Sequence, residues 1–201
     1  MRVMEIFYSI QGEGKYLGVP VVFIRTSGCS LKCPFCDTKA SWEEKGQDVD
    51  ADYILRDIMR ANQGRTSTIV ITGGEPTEQP DLYTIVERLK YEQFNVHLET
   101  NGTNDIMRGY FTHVACSPKP GTGFQVPKGV DELKYVVGVD DDLNKMIPGP
   151  VRTQFAGRIW LQPRANNEAV PSANVQYCIK QALLDPRLRV GIQYHKYIGV
   201  Q

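Results

Sequence analysis

Apolar residues along the chain fall into two alternating patterns. Short runs rich in Val, Ile, Phe and Tyr lie at 21–27 (VVFIRTS), 67–72 (STIVIT), 95–100 (NVHLET), 113–117 (HVACS), 132–137 (ELKYVV), 158–162 (RIWLQ) and 189–195 (RVGIQYH). Each reads as a half- or fully buried strand. Between them the spacing turns helical. In 51–62, Ile54, Ile58 and Ala61 share one face. In 80–92, Leu82, Ile85, Val86 and Leu89 follow the same rule, with Pro80 at the helix start. In 174–185, Val175, Cys178, Ile179, Ala182 and Leu183 do so again. The stretch 140–147, DDDLNKMI, predicts a short fourth helix with acids in its first turn.

Strands alternating with helices predict βαβ units and a parallel sheet. A closed (β/α)8 barrel takes about 250 residues. The chain has 201, room for about six strand–helix units. The expectation is therefore an α/β fold, a partial, open (β/α)6-type barrel with mostly parallel strands, forming one domain over 1–201. In such folds the functional loops follow the C-terminal ends of strands. The cysteine run, the GGEP turn, TNG, SPK and Gln162-Pro163 all follow predicted strands, which places them on one composite site.

Composition acts mainly by exclusion. Lys+Arg and Asp+Glu both total 23, for a formal charge of zero, so nothing points to nucleic acid or an anionic membrane as partner. The first 20 residues hold no long apolar run, and no stretch approaches a membrane span. The chain has five cysteines, at 29, 33, 36, 116 and 178. An odd count with three close together argues against a disulfide framework and for a reducing, cytoplasmic setting.

The chemistry concentrates in Cys29-Ser-Leu-Lys-Cys33-Pro-Phe-Cys36. Zinc sites commonly offer four ligands in pairs. Here three cysteines stand together without an evident fourth partner. Three thiolates suit a [4Fe–4S] cubane with one open iron, to which S-adenosylmethionine (SAM) can chelate and be cleaved to a 5′-deoxyadenosyl radical. A structural zinc loop or a redox thiol group is the plainer alternative. Cys178 reads as core on a helix face and Cys116 as a buried neighbour rather than a ligand. Thr72-Gly73-Gly74-Glu75-Pro76 adds paired glycines that let backbone approach a ligand, with Glu75 or backbone carbonyls as acceptors for an ammonium group.

With these motifs in place the chain resembles the radical SAM superfamily, and within it 7-carboxy-7-deazaguanine synthase. The likeness rests on FYSIQGEGKYLGVPVVFIRTSGCSLKCPFCDTKASW (7–42), ITGGEP (71–76), ETNG (99–102), SPK (117–119), ELKYVV (132–137), LQP (161–163) and QYHKYIGV (193–200). Residues 138–157 carry no motif that aligns. The resemblance implies a lyase reaction: 6-carboxy-5,6,7,8-tetrahydropterin contracts to 7-carboxy-7-deazaguanine with loss of ammonia, on the route to queuosine, with SAM used catalytically and Mg²⁺ assisting. It further implies an electron donor such as flavodoxin or ferredoxin, and a homodimer. A glycyl-radical activase also carries CxxxCxxC and is the alternative within enzymes; a small zinc-binding module is the alternative outside them.

Carried over residue by residue, the resemblance makes Cys29, Cys33 and Cys36 the cluster ligands and Thr38 the magnesium ligand, a hard oxygen donor suited to Mg²⁺. Arg25 has the planar fork that clamps a carboxylate, and the substrate carries one. Ile10, Gln11, Gly12 and Glu13 match the substrate loop, where a pterin edge presents N–H donors and a carbonyl. Thr72 matches a substrate contact and Gly74 a SAM contact. Phe35 and Asp37 stand by the adenine, Ser117, Pro118 and Lys119 match a SAM segment, and Gln162 reaches the ribose or methionine end. His195 and the region of Gln201 close over the substrate. Lys119, Glu132 and Lys134 have solvated surface charge as their plain reading, and Trp42 a packing role.

Overall fold

The computed structural model describes residues 1–43, 45–119, 126–166 and 169–200. Its centre is a nine-stranded sheet. The strands are β1 (Arg2–Ile10), β2 (Pro20–Thr26), β3 (Gln47–Asp48), β4 (Thr68–Gly73), β5 (Asn95–Thr100), β6 (His113–Cys116), β7 (Glu132–Val137), β8 (Ile159–Pro163) and β9 (Leu188–Val190). Their order is β3-β1-β2-β4-β5-β6-β7-β8-β9. From β2 to β9 every pairing is parallel, as the alternation of strands and helices predicts. The sheet does not close on itself. β1 and β3 are antiparallel additions at one edge.

The helices are α1 (Ala51–Asn62), α2 (Leu82–Tyr91), α3 (Leu143–Met146), α4 (Gly149–Gln154), α5 (Ser172–Leu184) and α6 (Tyr194–Ile198). The Asp50 side chain caps α1 by accepting from the Tyr53 amide, and Gln63 ends it in the left-handed region. Pro80 precedes α2 rather than opening it, because Asp81 stands at the cap. Among the described residues, the β5–β6 crossover carries only a 3₁₀ turn, Arg108–Tyr110, in place of a helix.

Strand alternation divides the molecule. One face, with Ile69, Ile71, Val96, Leu98, Val114, Leu133, Ile159 and Leu161, joins the apolar stripes of α1, α2 and α5 in one core. The alternate residues, Thr72, Glu99, Ala115, Lys134 and Gln162, face the inside of the curved sheet, where they line a cavity. Residues 138–157 belong to the packing: Leu143, Ile147 and Phe155 enter the core. The Arg152 guanidinium ties the carbonyls of Leu143 and Ile147 to Asp185.

Two expectations are corrected, and one strand is not foreseen. The run 189–195 is not one strand, since β9 stops at Val190 and α6 begins at Tyr194. Leu183 does not share the buried face of α5; it is 82 % exposed, and Asn174 and Cys178 are the buried positions. β1 does not register in the sequence reading as a strand. No helix among the described residues is long and apolar enough to cross a membrane.

Candidate active site

The interior of the sheet encloses a cavity of about 770 Å³, within the size range of sites that bury small ligands. Loops at the C-terminal ends of β2, β4, β5, β6 and β8 form its rim. Cys29, Cys33, Cys36 and Thr38 follow β2. Gly74 follows β4, Asn101 follows β5, Ser117 and Lys119 follow β6, and Gln162 ends β8. All of them line the cavity.

The three thiols are free and half-buried. Burial pushes the Cys33 thiol up, with Lys119 beside it pulling the other way and Cys29 and Cys36 adding to the rise. Cys116 and Cys178 are fully buried, and burial drives them up to about 12 and about 11. They are core thiols, as the sequence reading has them. A single zinc needs its ligands converged about 2.3 Å from one point. No group of three His, Cys, Asp or Glu side chains among the described residues converges in that way. All three thiols line the same cavity, and three is the number that a cubane with one open iron takes.

The glycine pair has a nearer task than contact with a ligand. The Gly74 amide donates to the Thr26 carbonyl (2.9 Å) and the Glu75 amide to the Gly28 carbonyl (2.8 Å). A Cβ on Gly73 would collide with Thr26, and one on Gly74 with Gly28, and Gly73 holds a φ of +118°. The pair lets the β4 loop lie flat on the cysteine loop. Glu75 is corrected as an acceptor for an ammonium group. Its carboxylate is fully buried and accepts from the Thr77 amide and hydroxyl, the Thr100 hydroxyl and the Asn101 amide. Burial pushes this carboxyl up against those four donors. It brackets the β4 and β5 loops together, and Asn101 in turn stands 3.9 Å from Cys29 Sγ with its side-chain amide.

The floor of the cavity comes from the loop after β1. Because β1 runs antiparallel to β2, Ile10 lies opposite Pro20, and residues 11–19 turn back beneath the interior. Tyr16 packs tilted against His97 and edge-on against His113, with ring centroids 4.4 and 4.9 Å apart. The Lys15 amide donates to Glu132, which also receives Trp160 Nε1 at 2.6 Å and contacts His113 Nε2 at 3.1 Å. Gly14 adopts φ +68°, and a Cβ there would strike the Glu132 carboxylate. Glu132 is thus a buried staple for the loop, not a solvated charge.

Above the staple, Ile10, Gln11, Gly12 and Glu13 line the cavity. Gln11 donates to Glu99 (2.9 Å), and Thr72 donates to Glu99 (3.3 Å). The Lys134 ammonium lies 2.8 Å from Glu13 and 3.3 Å from Glu99. The surface reading of Lys134 is overturned, since it is 6 % exposed. Burial works against its ammonium, and the two carboxylates outweigh that and hold its pKa above the ordinary value. Burial also works to raise Glu99, but Lys134 and the hydrogen bonds from Gln11 and Thr72 hold it below its ordinary value.

The C-terminal segment closes one side. Gln193 donates to both Glu13 (2.9 Å) and Asp37 (2.6 Å). The Tyr194 amide donates to the Gly12 carbonyl, and His195 packs on Gly12. Burial lowers His195 below its ordinary value, with Glu13 opposing. For Asp37, burial works upward, but Gln193 and Lys196 hold it below the usual range. Thr38 donates to Asp37 at 3.1 Å, so two hard oxygens sit together beside Cys36.

Arg25 lines the cavity with its Nε on Glu5 (2.6 Å) and its guanidinium over the Phe7 ring. Its terminal nitrogens carry no hydrogen bond among the described residues. The ion pair of the plain reading is therefore present, and it engages Nε. Phe35 and Asp37 line the cavity, and Pro118 is buried behind its neighbours Ser117 and Lys119. Lys119 is not a surface charge either: it donates to Ser117 at 2.6 Å inside the site. Trp42 lines the cavity and its carbonyl accepts from the Cys29 amide. Gln201 lies outside the described residues. Glu99 and Gln193 are not foreseen as site residues, and Asn101 is foreseen only as part of the TNG run. Glu99 and Asn101 flank a predicted strand end and could have been found by inward alternation along β5; Gln193 has no such signal.

Comparison with known proteins agrees with this geometry. The radical SAM superfamily model matches residues 23–119. The 7-carboxy-7-deazaguanine synthase of Bacteroides thetaiotaomicron is 34 % identical over 100 % of this chain and 98 % of its own. That of Hyperthermus butylicus is 44 % identical over 96 % of this chain and 76 % of its own. The crystal structure of QueE from Escherichia coli superposes with a TM-score of 0.72 at 28 % identity, covering 96 % of this chain and 94 % of that one. A cavity lined by three half-buried thiols, on a chain matched to these proteins over 96 % or more of its length, leads to one assignment: the chain belongs to the 7-carboxy-7-deazaguanine synthase family of the radical SAM superfamily.

Proposed function

We propose that this chain contracts 6-carboxy-5,6,7,8-tetrahydropterin to 7-carboxy-7-deazaguanine with loss of ammonia, a step toward queuosine and other 7-deazapurines. One observation carries the reading: the three thiols, Arg25 and the Gln11–Glu13 loop line the same cavity. A [4Fe–4S] cluster with SAM on its open iron supplies radical initiation when bound.

The remaining work falls to the chain's own side chains. Cys29, Cys33 and Cys36 hold the cluster, and the Asn101 amide stabilises charge on Cys29. Gly74, Phe35, Ser117, Lys119 and Gln162 form the wall that seats SAM. Thr38, beside Asp37, offers the oxygens for Mg²⁺. Arg25 receives the substrate carboxylate, pre-oriented by Glu5 and Phe7. Glu13 and Glu99 accept N–H groups of the pterin edge, while Gln193 and His195 close the side and exclude water. Flavodoxin or ferredoxin would deliver the electron, and the resemblance favours a homodimer.

Anaerobic incubation of reconstituted protein with SAM, reductant, Mg²⁺ and the pterin tests the assignment through the ultraviolet spectrum and mass of the product. SAM cleavage without that product would remove the substrate and leave the superfamily standing. Cys33→Ala is expected to abolish cluster assembly; a full iron complement with normal turnover would refute its ligand role. Thr38→Ala is expected to weaken Mg²⁺ dependence, and an unchanged Mg²⁺ titration would take Thr38 out of the metal site.

A further inference from the structure

Lys134 is the cation ion-paired to both cavity-floor carboxylates. Its ammonium stands 2.8 Å from Glu13 and 3.3 Å from Glu99, and the residue is 6 % exposed. The two carboxylates come from far apart in the chain, one from the loop after β1 and one from β5, and both line the cavity. Their other tethers are neutral: Gln193 on Glu13, and Gln11 with Thr72 on Glu99.

We propose that Lys134 is a positioning residue for the pterin: it keeps Glu13 and Glu99 a matched pair of charged acceptors aimed into the cavity, and so tunes the pocket to a heterocycle edge made of N–H donors. The inference rests on the function proposed above. An ionised carboxylate only accepts hydrogen bonds, whereas a protonated one presents a donor. Two carboxylates in one low-dielectric site without a cation cannot both stay ionised. A neutral side chain at 134 therefore turns one acceptor into a donor, set against the donors of the ligand.

Other charged or titratable groups surround the cluster of three. Glu132 lies on the same strand, and Cys116 and Lys119 come from β6 and its loop. His195 comes from α6, and Asp37 is linked through Gln193. All of them remain in a Lys134 variant, so a difference in pH response from the parent reports on Lys134.

The test is fluorescence titration of 6-carboxypterin into reconstituted, SAM-loaded protein between about pH 5.5 and 7.5, a range in which a buried carboxylate pair without its cation takes up a proton. The proteins are the parent, Lys134→Met, Lys134→Arg and the double variant Glu99→Gln/Lys134→Met, each with iron content and Tm recorded. Lys134→Met is expected to bind about tenfold or more weakly near neutrality and to regain affinity as pH rises, with its midpoint displaced upward by about one unit. Lys134→Arg is expected to stay within about threefold of the parent with an unmoved midpoint, because the charge is kept. Glu99→Gln is expected to restore part of the Tm that Lys134→Met loses, since it removes the repulsion.

Unchanged binding in Lys134→Met, a loss that does not vary with pH, or an equal loss in Lys134→Arg would overturn the proposal. If Lys134→Met does not fold, the double variant decides, and absent recovery counts against the proposal. Parent protein that neither binds 6-carboxypterin nor turns over the reduced pterin would overturn the proposed function along with it. Parent binding with a silent Lys134→Met would overturn only the role of Lys134.

Discussion

At the scale of single residues, the site depends on close backbone contact more than on side-chain reach. Gly74 lets the β4 loop touch Gly28, one residue before Cys29, and Glu75 then ties the β5 loop to the same point. Gly74→Ala is expected to cost roughly 1–3 kcal/mol through overpacking and to lower iron retention after anaerobic reconstitution. A variant that keeps parental iron and Tm would show that the loops can part without harm. The residue types readable in the sequence were those with distinctive chemistry: cysteines, the GGEP turn, Arg25. The roles of Glu75 and Lys134 were not readable, because a carboxylate or ammonium in sequence carries no mark of whether partners will bury it. Glu75 is buried by four donors from two loops, and Lys134 by two acids more than 30 positions away.

At the scale of elements, the parallel strands and the first two helices were legible, because their apolar periodicity is set by burial against one another. β1 was not. It pairs antiparallel at the edge side of the sheet, most of its residues are half-buried, and a register shift between Val3 and Glu5 breaks its alternation. The end of β9 was misread because Ile192 and Tyr194 continue an apolar pattern past the point where pairing stops at Val190. Yet β1 matters most for the site, since it delivers the floor loop. Glu132→Gln replaces an acceptor-only staple with a group that must donate on one side, so bonds from Lys15, His113 or Trp160 are lost. It is expected to cost roughly 1–3 kcal/mol of stability and to raise the pterin KM with iron content unchanged. A parental KM would detach the floor loop from substrate binding.

At the scale of the whole molecule, the buried pair His97 and His113, with Tyr16 packed against both, ties stability to pH. Burial, with His113 alongside, lowers His97 from 6.5 to about 4. Above pH 6.5 neither the folded nor the unfolded chain holds a proton there. As pH falls from 6.5 toward about 4, the unfolded chain takes up a proton that the folded chain refuses, so stability is lost through that window. Replacing His97 by Gln is expected to flatten the fall of Tm across it, and parallel Tm curves for the two proteins would dismiss the effect.

The bonds from Gln193 to Glu13 and from Tyr194 to Gly12 also set an order of events. They join positions 180 or more residues apart, contacts that are entropically slow to form. On the ribosome the floor loop is made long before its latch. The half of the site that carries the three cysteines can therefore assemble on a nascent chain while the floor loop stays unlatched, and that side of the pocket shuts only once Gln193 and Tyr194 have emerged.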